Sequence, residues 1–148
     1  MKLSTRGRYA LRLMLDLALQ PEGETISLKT IAQRQGISLK YLEQIVTPLI
    51  RSGYLQAIRG AQGGYLLSKK PEEYTVGMIL RTIEGSLAPV TCLEAGSPPC
   101  DRRCYCVTLE VYRKIDEAID AVVDGITLKD LVEMQHSKWG GTQPPDEA

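Results

Sequence analysis

Apolar residues recur at helical spacing across residues 5–20, where Tyr9, Ala10, Leu13, Met14, Leu17 and Ala18 share one face. Thr5 stands where a cap for the first turn is expected. Leu11, Leu15 and Leu19 make the other face apolar as well. Such a helix must be buried on most sides, so it is expected to bridge its own domain and a second subunit. Gln20-Pro21-Glu22-Gly23 ends it, Ser27 caps a short helix reaching about Gln35, Gly36 breaks the pattern, and Ser38 caps the next helix.

Ile31, Ala32, Gly36, Ile37, Leu42 and Ile45 occupy the positions that a helix-turn-helix requires. Ala32 is small where two helices cross, Gly36 tolerates positive φ in the turn, and the inward faces are aliphatic. A packing corner in another helical domain would show the same spacing. The next segment favours the first reading. Tyr54 to Arg59 and Tyr65 to Ser68 have strand character, joined by Gly60-Ala61-Gln62-Gly63-Gly64 with Arg59 at the base. That order predicts a winged helix. Pro48 lies within the projected recognition helix and removes one backbone donor, so a bend is expected near Gln44 to Pro48, beyond the turns that would read DNA.

Thr75 caps a further short helix through Glu84, closed by Gly85, and a loop over about 90–106 contains Gly96-Ser97-Pro98-Pro99. From Thr108 to Val123, Leu109, Tyr112, Ile115, Ile119 and Val122 form one stripe on a helix roughly 24 Å long. Little of the domain remains to cover that stripe, which makes it the candidate dimerisation surface. Thr127-Leu128-Lys129-Asp130 opens a last short helix, and the composition from about Ser137 onward is that of a loose tail. His136 and Trp139 are isolated there, Trp139 being either a docking side chain or part of a disordered end. The fold expected is mainly α with a small β-hairpin wing. It divides into a winged helix-turn-helix over 1–86, a cysteine loop over 87–106, a dimerisation helix with a short helix over 107–134, and a flexible tail over 135–148.

The 148 residues are 43% hydrophobic and 24% charged, enough to bury a core. No apolar run reaches the roughly 18 to 20 residues of a membrane span, and no secretory pattern opens the chain, so a cytoplasmic protein without a membrane partner is expected. Zero net charge hides a division. Residues 1–70 hold 11 Lys and Arg against 4 Asp and Glu, and residues 71–148 hold 7 against 14, giving halves of +7 and −7. The asymmetry suggests that one half meets a polyanion. Two faces that only keep the protein in solution would give the same count.

A recognition helix in the major groove would bring Ser38, Lys40, Tyr41, Glu43 and Gln44 to or near base edges. Gln44 can pair with adenine, and Glu43 can accept from cytosine N4 while repelling phosphate. Lys2, Arg6, Arg8 and Lys40 are expected at phosphates. Arg59, with Gly60 beside it, could follow the wing into a minor groove. The four cysteines, Cys92, Cys100, Cys104 and Cys106, fall within fifteen positions. Thiolates suit an iron-sulfur cluster or zinc, but the run lacks the Cys-x2-Cys knuckle common in structural zinc sites. Arg102 and Arg103 beside them would favour thiolates, so a thiol or disulfide switch stays open. No nucleophile elbow or phosphate-binding glycine motif is present, and the single histidine lies near the end. An enzyme is not expected.

Met1 to Arg12, Ile37 to Gln44, the wing Arg59 to Tyr65, and Ile126 to Leu131 together resemble the Rrf-two family of bacterial transcription regulators, over about residues 1–134. The resemblance implies a homodimeric winged-helix regulator, usually a repressor, that binds a palindromic operator in double-stranded DNA. It further implies that Cys92, Cys100 and Cys106 hold an iron-sulfur cluster, [2Fe-2S] favoured over [4Fe-4S], with Cys104 extra. IscR-type members place a histidine ligand three residues after the last cysteine, where this chain has Leu109. NsrR-type members borrow an acid near the partner's N-terminus, where it has Arg8. Cys104 could therefore be the fourth ligand. Glu43 matches a position at which IscR-type members discriminate between operators. A CymR-like regulator controlled by thiol oxidation or a protein partner is the alternative, and a winged-helix interaction or zinc-binding module that never touches DNA is a third.

Overall fold

The computed structural model describes residues 2–139, with six α-helices and one antiparallel hairpin among them. The helices are α1 (Thr5–Ala18), α2 (Leu28–Gln35), α3 (Leu39–Arg51), α4 (Val76–Glu84), α5 (Val107–Gly125) and α6 (Leu128–Lys138). Strands β1 (Leu55–Ile58) and β2 (Gly64–Leu67) pair in the register Leu55 with Leu67 and Ile58 with Gly64. No helix among the described residues is long and apolar enough to cross a membrane.

Helix α1 is central, with α2, α3, α4, α6 and β2 all packed against it. Ala10, Leu13, Met14 and Leu17 are buried, and Leu11 and Leu15 on the other face pack at the edge of the same core. The apolar faces of this helix are thus largely covered within one chain, and the expected bridge to a second subunit is not required. The cap is Ser4 rather than Thr5. Its hydroxyl accepts from the Gly7 N–H at 3.0 Å, and the hydroxyl and backbone N–H of Ser4 both donate to Glu84 at the end of α4.

Ser27 caps α2 through the Thr30 N–H, and Gly36 closes it in the left-handed region at φ 63°. Ser38 caps α3 through the Tyr41 N–H, and α3 buries Leu42, Ile45, Val46 and Leu49 along one side. Each such aliphatic contributes about 1.5 to 3 kcal/mol on leaving water. Helix α3 continues as one element past Pro48 to Arg51, with the proline inside it. The missing donor falls near the C-terminal end, away from the turns that Ser38 organises.

The hairpin docks on the segment before α2. Ile26 and Tyr65 exchange backbone hydrogen bonds of 3.0 and 2.8 Å, and the Thr25 hydroxyl donates to the Gln62 carbonyl at 2.8 Å. This approach demands glycine at Gly64, where a Cβ would lie 2.5 Å from the Ile26 carbonyl oxygen. The base of the hairpin is held by fully buried Tyr74. Its hydroxyl donates to the Tyr54 carbonyl at 2.8 Å and accepts from the Lys69 N–H at 3.0 Å, while the two tyrosine rings meet edge to face. Burial is the largest influence on that phenol and raises its pKa, leaving it protonated and able to donate.

Helix α5 begins at Val107, runs to Gly125, and packs on α4. Arg81 of α4 joins it to Asp120 at 2.5 Å and to Asp124 at 2.7 Å. Gly77 permits the close crossing, since a Cβ there would overlap the carboxylate of Asp124. Helix α6 continues to Lys138 with Gln135 buried, which corrects the expected start of the tail at 135. The Thr127 cap and the Asp130 carboxylate satisfy each other's N–H groups in its first turn, and that continuation needs no breaker before Trp139. The rest of the expected tail, 140–148, lies outside the described residues.

Candidate nucleic-acid interface and cysteine site

Because Leu42, Ile45 and Leu49 turn inward, α3 presents Lys40, Glu43, Gln44 and Thr47 to solvent, with Ser38 exposed at its start. This is the face expected to read bases. Tyr41 differs, being half-buried with its ring edge-on to Tyr9 at 5.6 Å. It braces α3 against α1, a role that spacing alone did not reveal.

The wing residues Arg59 and Gly60 are exposed, and the Gly63 N–H donates to the Gly60 carbonyl at 3.0 Å to close the turn. Arg6 and Arg8 are exposed on the first turns of α1, Arg8 donating to the Thr5 hydroxyl at 3.1 Å. Lys2 is placed elsewhere, beside a groove of about 600 Å³ lined by Leu3, Leu80, Ile115, Ile119 and Val122. Lys29 and Thr30, not singled out by the sequence, are exposed on the first turn of α2, which follows the Ile26 segment paired with Tyr65 of the wing. Their signal was the Ser27 cap, which places them at the positive end of a helix dipole.

The stripe on α5 is only partly free. Leu109 is 5% exposed and belongs to the chain's own interior, so it cannot serve a second subunit. The helix turns it toward the cysteine loop, whose hollow it helps line. Tyr112, Ile115 and Ile119 are half-buried, and Val122 is 60% exposed. The groove with Leu3 and Leu80 extends that apolar surface.

Cys92, Cys100 and Cys106 line one hollow of about 30 Å³ together with Pro98, Arg103 and Leu109. Cys104 is exposed and not among the residues that line it. The three cysteines that the resemblance selected thus line one hollow, and Cys104 does not line it. A hollow of this size has room for one or two waters. Among the described residues no three His, Cys, Asp or Glu side chains are gathered closely enough to hold a metal ion as they stand. Three soft donors on one hollow nevertheless match the ligand chemistry of an iron-sulfur cluster, provided the loop opens.

Cys106 precedes the first turn of α5, and its sulfur lies 3.3 Å from the Thr108 hydroxyl. That hydroxyl and then the Leu109 amide hold the thiol below its ordinary pKa; burial opposes them less strongly, and the charge of Arg102 adds a still smaller lowering. The thiolate is the form that ligates metal.

A helix-turn-helix with a docked wing, joined to a long outlying helix, defines the class of winged-helix transcription regulators. Residues 3–134 match the Rrf2 family, described as an iron-dependent transcriptional regulator. The chain belongs to that family, whose named members are regulators and not enzymes. It is 42% identical over 131 residues to the HTH-type transcriptional regulator CymR of Bacillus subtilis, covering 88% of this chain and 89% of that one. It is 39% identical over 132 residues to IscR of Aliivibrio salmonicida, covering 89% and 77%. The solved structure of CymR, the global cysteine regulator of B. subtilis, superposes with a TM-score of 0.75 at 40% identity over 90% of this chain and 98% of that one.

Proposed function

We propose that this protein is a homodimeric repressor that reads a palindromic operator through α3 and the wing, and whose cysteine loop adjusts that reading by holding an iron-sulfur cluster. The observation that carries the cysteine part is the convergence of Cys92, Cys100 and Cys106 on one hollow against Leu109 of α5. Ser38, Lys40, Glu43 and Gln44 supply base and phosphate contacts, Arg59 and Gly60 the wing contact, and Arg6 and Arg8 phosphate contacts. Half-buried Tyr112, Ile115 and Ile119, with exposed Val122, form the surface for the second copy. Cys92, Cys100 and Cys106 would hold the cluster, [2Fe-2S] in preference to [4Fe-4S]. When bound, the group supplies sensitivity to iron and oxidants. The chain's own contribution is to tie the loop to α5, so that a change of loop packing moves the helix that sets the spacing of two recognition helices.

The description of the family as iron-dependent and the IscR relative support this reading. A second reading, a cluster-free regulator controlled by thiol oxidation, is favoured by the CymR relative and by the depressed thiol of Cys106. Purification without oxygen separates them. The cluster reading predicts visible absorption with matching iron and sulfide, lost in Cys92→Ser, Cys100→Ser and Cys106→Ser and kept in Cys104→Ser. Colourless, iron-free protein prepared in this way contradicts it.

A further inference from the structure

Asp16 is 1% exposed on the inner side of α1, among Leu13, Met14 and Leu17. A carboxylate there is costly unless its oxygens are paired. One oxygen lies 3.1 Å from the Arg34 guanidinium, and the other accepts from the Gln35 side-chain amide at 2.8 Å. Arg12, one turn earlier on α1, completes the grip. It donates to the Gln35 side-chain oxygen at 3.0 Å and to the Gln35 backbone carbonyl. That carbonyl ends α2, where Gly36 turns the chain into the left-handed region and leaves the last carbonyls in need of donors. Gln135 and Trp139 of the C-terminal segment line the same hollow as Arg12, Asp16 and Gln35.

Stability alone gives no reason for this arrangement, because an apolar residue at a buried ion-pair position is often neutral or stabilising. The carboxylate adds direction. One oxygen accepts from the Gln35 side-chain amide and the other faces the Arg34 guanidinium as an ion pair, both on the final turn of α2, immediately before the residues Gly36 to Ser38 that set the start of α3.

We propose that Asp16 is a positioning residue for operator reading: through Arg34 and Gln35 it fixes the end of α2, and hence the aim of α3. The assignment rests on the DNA-reading function proposed above and adds a residue that touches neither DNA nor cysteine.

The test uses the full chain and a duplex selected by the parent protein from a random-sequence pool, compared with an unrelated duplex of equal length. Asp16→Leu and Gln35→Ala should each lower discrimination between the two about tenfold, and the double variant should fall no further. Affinity for the unrelated duplex should stay at the parent level, which simple loss of folded protein would not allow. If Asp16→Leu does not fold, Gln35→Ala alone decides. A parent that discriminates while the folded variants discriminate equally well overturns this assignment alone. A parent that selects no sequence overturns the DNA-reading function and this assignment with it.

Discussion

Replacing Gly64 with alanine tests whether the wing is held by its seat on the chain before α2. The new Cβ would lie 2.5 Å from the carbonyl oxygen of Ile26, 2.6 Å from its carbon and 3.0 Å from its nitrogen. These are backbone atoms, so no side chain can swing aside. The φ of 156° adds strain for any residue with a Cβ. The cheaper response is for the hairpin to lift, breaking the two Ile26–Tyr65 hydrogen bonds and the one from Thr25 to Gln62. At about 1 kcal/mol each, that costs about 3 kcal/mol. For a domain of this size the melting midpoint should drop by about 6 to 12 °C. Amide hydrogen exchange gives the local readout: Tyr65 and Ile26 should lose protection while Leu42 and Ile45 of α3 keep theirs. A variant with an unchanged melt and a fully protected Tyr65 amide would show that this seat does not hold the wing.

Lys40→Ala and Arg59→Ala should each reduce the slope of log affinity against log salt by about one, measured by fluorescence anisotropy on a labelled duplex, because each loses one phosphate neutralisation. Ser38→Ala removes the hydroxyl that accepts from the Tyr41 N–H, and should cost about 1 kcal/mol in urea denaturation with no change in the denaturant slope. Asp130 is held below the ordinary carboxylate range by the backbone N–H and hydroxyl of Thr127. Its folded pKa is the lower one, so its contribution is complete above the unfolded value and is lost as pH falls through the folded value. The drop in melting midpoint between about pH 5 and about pH 2 should therefore shrink in Asp130→Asn.

The helix-turn-helix was legible because its demands are local. A serine cap, a glycine in the turn and aliphatic residues at helical spacing each leave a mark at a fixed position, and Ser38, Gly36, Leu42 and Ile45 all stand where those marks placed them. The Rrf2 resemblance was legible on Met1 to Arg12, Ile37 to Gln44, the wing and Ile126 to Leu131, within the residues 3–134 that match the family. Features made between distant segments were not. Tyr41 is exposed by periodicity, yet its ring meets Tyr9, thirty-two positions away. Asp16 was not singled out by spacing, because only the fold brings Arg34 and Gln35 onto it. Leu109 sat at the head of a stripe and was assigned to a partner, because nothing in the spacing shows that the cysteine loop folds back on it. Ser4, and not Thr5, caps α1, and its hydroxyl also donates to Glu84, eighty positions away.

If the cysteine loop controls how well α3 and the wing hold DNA, one anaerobic preparation changes its affinity for the selected duplex when the iron is stripped by a chelator. The expected change is at least about fivefold, the lower end of ordinary coupling between sites, and it disappears in Cys92→Ser. Equal affinity before and after stripping, in a preparation shown to have contained iron and sulfide, would contradict it.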